Sequence, residues 1–78
     1  MRDFLDTEGR HWQAAPLSAS YGQMLLVFSA LEGDAILHQQ MAADTLAQAE
    51  EELAQLDDGA LRALLQQAQP WDYGAKKL

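Results

Sequence analysis

Met24-Leu25-Leu26-Val27-Phe28-Ser29-Ala30-Leu31 is the stretch that decides the fold. It is the longest apolar run in the chain, with β-branched and aromatic residues at its middle. Eight residues are too few to cross a bilayer and suit a strand covered on both faces. Successive side chains of a strand alternate, so Val27 and Phe28 are expected to be buried on opposite faces of an inner strand. Every other element has to pack on the sheet this strand anchors.

Toward the N-terminus, residues 2–6 (Arg-Asp-Phe-Leu-Asp) form a short candidate strand. Asp6-Thr7-Glu8-Gly9 then reads as a type I turn followed by a left-handed glycine, the sign of a hairpin. The returning strand runs from Arg10 to about Ala15. Trp12 shares a face with Ala14, while His11 and Gln13 share the other. Pro16 has no N–H for a ladder, so the strand is expected to end near it. Ser18-Ala19-Ser20-Tyr21-Gly22 reads as a loop of small residues leading into the central run. The spacing Phe4-x-Asp6-x-x-Gly9-x-x-Trp12 is common to hairpins in general and names no family.

Toward the C-terminus, Glu32-Gly33-Asp34 is a turn, and Ala35 to Met41 reads as a fourth strand in preference to the start of a helix. From Thr45 the period changes. Leu46, Ala49, Leu53 and Leu56 recur at helical spacing, with Asp44 or Thr45 as the cap. Asp57 is placed to cap a second helix whose apolar stripe is Leu61, Leu64, Leu65 and Ala68, with Leu56 stapled onto Leu61. Pro70 is expected to stop that helix. The reading is an α+β domain: a small antiparallel meander of three to four strands, then a C-terminal helical hairpin packed on one face. Residues 1–70 make the single domain and residues 71–78 a tail. In the tail, Trp71 is expected to fold back onto the thin core and Tyr73 onward to be mobile or to dock.

The 78 residues include twelve acids, five bases and no cysteine, for a net charge of −7. A chain of this size buries only roughly 60% of its unfolded surface, so a second copy or a partner has stability to add. Without cysteine there is no disulfide framework and no thiolate metal site. No basic-then-apolar leader opens the sequence, which points to a cytoplasmic, bacterial-type protein. Between His11 and Leu61 there is no Lys or Arg, while eight acids fall there. Such a surface repels phosphate and anionic lipid, arguing against nucleic acid or membrane as direct partners.

No constellation of residues carries catalysis or cofactor binding. His11 and His38 are distant in sequence and lack ligand spacing, and Asp57-Asp58-Gly59 lacks the remaining oxygens of a calcium loop. Ser18, Ser20 and Ser29 have no local base and orienting acid. The five glycines are scattered singly and build no phosphate loop. No metal, no cofactor and no enzyme activity are therefore expected.

Glu50-Glu51-Glu52 breaks a local rule. It lies toward the C-terminal end of the first helix, where carboxylates oppose the helix dipole, and no cation lies three or four residues away. A charge run that local stability does not favour is a candidate for function. The leading expectation is a non-catalytic adaptor or regulatory module that presents Glu50, Glu51, Glu52, Asp58 and Tyr73 to a basic patch on a larger protein. Homo-oligomerisation through an exposed sheet face is compatible with it. The second reading is an inhibitor that imitates nucleic-acid charge, with Asp57 added to the row. A small enzyme or enzyme subunit ranks third.

Overall fold

The computed structural model describes residues 1–18 and 23–70. The elements run β1 (Arg2–Leu5), β2 (His11–Ser18), β3 (Met24–Ala30), β4 (Ile36–Met41), α1 (Leu46–Gln55), α2 (Asp58–Gln67) and β5 (Gln69–Pro70). The five strands form one antiparallel sheet in chain order, so β3 is the central strand of a meander. The two helices follow as a hairpin on one face, which is the α+β arrangement expected. The sheet gains a fifth strand because the chain leaving α2 returns beside β4, pairing Leu37 with Pro70 and His38 with Gln69. Pro70 therefore does more than follow a helix end. It lies on an outer strand, where a missing N–H is tolerated.

The first hairpin closes as its sequence requires. Gly9 takes φ +83°, and its N–H donates to the Asp6 carbonyl at 3.1 Å. A glycine has no Cβ to oppose that left-handed geometry. Beyond the turn, β2 continues through Pro16 to Ser18, past the expected stop. The hydrogen-bond phase explains this. Leu31 N–H donates to the His11 carbonyl, so odd residues of β2 bond β3 and even ones face β1. Strand β1 ends at Arg2, opposite Ala14. The nitrogen of Pro16 thus points past the end of β1, where no ladder partner is lost.

Core residues come from one face of the sheet and the inner stripes of both helices. Phe4, Trp12, Ala14, Leu26 and Phe28 join Leu53, Leu61 and Leu65 in one cluster. Ala14 is fully buried and small, so the rings of Phe4 and Phe28 meet across it edge-on, with centroids 5.9 Å apart. Met24, Ala43 and Ala49 form a second, smaller cluster at the start of α1.

Two expectations about burial need correcting. Phe28 is fully buried, but Val27, on the other face, is only half-buried. The helices cover one side of β3 and none of the described elements covers the other. Leu46 is 47% exposed, because the inward stripe of α1 begins a turn later at Ala49.

Of the two cap candidates for α1 the structure uses Thr45, and Asp57 caps α2 as expected. Thr45 Oγ1 accepts from Gln48 N–H at 3.1 Å, and the Gln48 side chain accepts in return from Asp44 N–H at 2.9 Å. Asp57 Oδ1 accepts from Ala60 N–H at 2.8 Å. Leu56, between the helices, is half-buried in the same core cluster as Leu61. No helix among the described residues is long and apolar enough to cross a membrane.

Candidate interaction surfaces

Two surfaces of opposite character lie on the two sides of the molecule. The first is the outer face of α1. Glu50, Glu51 and Glu52 are all exposed, and none makes an ion pair or side-chain hydrogen bond with another described residue. Consecutive helix positions are about 100° apart, so the three carboxylates fan across the solvent side. Glu52 borders a shallow crevice of about 170 Å³ between the helices and β4, floored by Leu26, Met41, Leu56 and Leu64. Small-molecule pockets run roughly 300–1,000 Å³, so the crevice is small for a ligand site.

The three described arginines are all engaged elsewhere. The Arg2 guanidinium donates from β1 to the Leu53 and Leu56 carbonyls at the end of α1, and to Asp58 Oδ1 at 3.3 Å. Arg10 pairs with Glu8 at 3.1 Å, and Arg62 Nε donates to the Leu5 carbonyl at 2.7 Å. Arg2 supplies what the local sequence of α1 lacks, a cation at the helix C-terminus. The helix end is thus compensated from a strand more than fifty residues away in sequence. Sequence reasoning missed this, because Arg2 in a short strand looks like any surface base. Asp58, expected on the partner-binding face, is an anchor for Arg2. Tyr73 and the rest of the tail, with Trp71, and the loop residues Ser20, Tyr21 and Gly22, lie outside the described residues.

Asp6 is the most heavily bonded carboxylate. Its Oδ1 accepts from the N–H groups of Glu8 and Arg10, and its Oδ2 accepts from the Trp12 indole, each at 2.8 Å. Partial desolvation of Asp6, the half-buried first residue of an exposed turn, pushes the carboxyl up. The hydrogen bonds from Trp12, Arg10 and Glu8, with the Arg10 charge, outweigh that and hold it below its ordinary 3.8. Three of the roughly four acceptor sites on this carboxylate are taken by its own hairpin, so its job is structural.

The second surface is the side of the sheet that no described element covers. Strand register places Leu17 opposite Leu25 and Ala15 opposite Val27, with Ile36 diagonal to Val27 on β4. Leu17 is 42% exposed and the others are half-buried. Around this stripe stand Gln13, Ser29, Gln40 and Gln69, and the half-buried His11 and His38. The histidines sit on β2 and β4 with β3 between them. Among the described residues no cluster of three or more His, Asp or Glu side chains is arranged to hold a metal ion.

No protein-family model matches the chain, and comparison with curated proteins and with solved structures gives no match either.

Proposed function

We propose that this chain is a non-catalytic interaction module whose acidic helical face meets a basic surface on a larger protein. The observation that carries the reading is the state of Glu50, Glu51 and Glu52. All three are exposed and make no ion pair with another described residue, while each described arginine is committed to another site. Carboxylates kept free in this way can act on a partner at a distance, raising encounter rates through long-range attraction. Asp58 is not part of the proposed face, because its charge is already answered by Arg2.

The test is kinetic. The wild-type chain and the Glu50/Glu51/Glu52→Gln triple variant are used to capture binding proteins from source lysate. Association of the captured partner is then timed at low and high salt. Slower association by the variant, with a flatter salt dependence, supports the module. Equal rates at low salt sink it. If added nucleic acid displaces the chain from its partner, the same face acts by charge mimicry instead of as an adaptor. We place the module in the cytoplasm; its recovery with a membrane or extracellular fraction would overturn that placement.

A further inference from the structure

We propose that the uncovered face of the sheet is the seat of a second copy of this chain, making the protein a twofold dimer with its helices outermost. The proposal is independent of the acidic face and of what that face binds.

Each chain carries −7, so two copies repel unless they meet where carboxylates are few. On the uncovered face the described residues include one carboxylate, Asp3, on the outer strand β1. Glu8, Glu32 and Asp34 stand on the turns at one end of the sheet, and the Leu17–Leu25 pair lies toward the other end. Glu50, Glu51 and Glu52 are on α1, across the sheet. A basic partner has no reason to choose this face. A copy of the same acidic chain has no better one.

A twofold interface brings one patch against itself, so a patch of one charge sign cannot serve. Here Ala15, Leu17, Leu25, Val27 and Ile36 form an apolar centre. Glutamine, serine and histidine side chains, which offer both donors and acceptors, surround it. An apolar centre depleted of charge within a polar rim is the usual anatomy of a protein interface.

The molecule is a slab of 34 × 30 × 17 Å, with the sheet and the helix pair as its two layers. Its broad face fits within a 34 × 30 Å rectangle of roughly 1,000 Å², an upper bound on what one copy brings, against about 800 Å² per partner in a standard interface. The outer strand β1 is short, four residues, which favours meeting by faces over extension by that edge.

The experiment is sedimentation equilibrium of the full chain over a concentration series, with Leu17→Asp as the variant. Leu17 is exposed in the single chain, so the substitution should leave far-ultraviolet dichroism unchanged. It puts a carboxylate on both sides of the twofold and should weaken dimerisation by roughly 100-fold, about tenfold per copy. The expected result is twice the 8.6 kDa chain mass for wild type and the single mass for the variant. Methyl resonances of Leu17, Leu25, Val27 and Ile36 in the unmodified chain should also shift on dilution, which tests the face if Leu17→Asp does not fold. A wild type that stays monomeric overturns the proposal, as does a dimer that a folded Leu17→Asp leaves intact. Dimerisation that appears only after truncation at Pro70 also overturns it, and would assign the face to residues 71–78.

Discussion

Asp6 shows how much of a fold one short side chain can hold. Its two oxygens accept three hydrogen bonds, two from the turn backbone and one from Trp12, whose ring belongs to the core. Asparagine at this position keeps the size but offers a single acceptor oxygen, so either the turn or the indole is left facing an amide N–H. Asp6→Asn is therefore expected to lower the melting temperature at pH 7. The pH dependence follows from the depressed carboxyl. A group titrating lower in the folded chain than in the unfolded one adds stability that is complete above the unfolded value of 3.8. That stability is lost as pH falls from there through the folded value. Wild type and Asp6→Asn should differ most at neutral pH and converge below pH 3.8. Thermal melts of both proteins from pH 7 to pH 2 make the comparison. A gap that stays constant across that range would show that the charge of Asp6 has no part in the turn.

The elements most legible in the sequence were those whose signal is local. The apolar run gave β3 to within one residue, Asp6 and Gly9 gave the hairpin, and Thr45 and Asp57 gave both caps. What escaped was set by distant partners. Strand β5 is two residues long and contains a proline, so nothing in its own composition marks it as a strand. Pro16 continues β2 only because β1 has already ended beside it. The C-terminus of α1 looks uncapped by cations until Arg2 arrives from the first strand. Arg2→Ala should cost about 1–2 kcal/mol, since two carbonyls at a helix end lose a charged donor. That corresponds to a drop in melting temperature of roughly 4–16 °C for a domain of this size. The pair with Asp58 should account for little of it, because the Asp58 side chain is 52% exposed and exposed pairs contribute about 0.2–1 kcal/mol. A double-mutant cycle of Arg2→Ala with Asp58→Asn separates the two terms. A coupling as large as the whole Arg2 effect would move the cap from the helix carbonyls to the ion pair.

Across the whole molecule, unpaired acidic charge and uncovered apolar surface are set on opposite sides of one thin slab. The acidic run on α1 was visible in the sequence, and so was an open sheet face, since a helical hairpin covers one side; that Val27 lies on the open side was not. A run such as 24–31 reads the same whether one or two layers cover it, so the half-burial of Val27 had no sequence signal. The segregation predicts how the fold responds to salt. Glu50, Glu51 and Glu52 repel one another, with no described cation paired to them. At ionic strength near 0.01 M the screening length is about 30 Å, so this repulsion acts across the molecule; near 1 M it shortens to about 3 Å. Wild type should therefore become more stable as a non-denaturing salt is raised. Replacing all three by Gln takes the net charge from −7 to −4, since −7 + 3 = −4, and keeps the helix propensity close to that of Glu. The triple variant should melt at or above the wild-type temperature in low salt, and its melting temperature should rise less with added salt. Sodium chloride is the salt to use, because sulfate also strengthens apolar burial and would raise both proteins alike. Melts should be run well below the concentration at which the chain self-associates, so that salt-driven dimerisation does not enter. A variant that melts clearly below wild type in low salt would mean that these carboxylates stabilise the folded chain. The three residues would then belong to the architecture of α1, and the case for a binding face built on them would go.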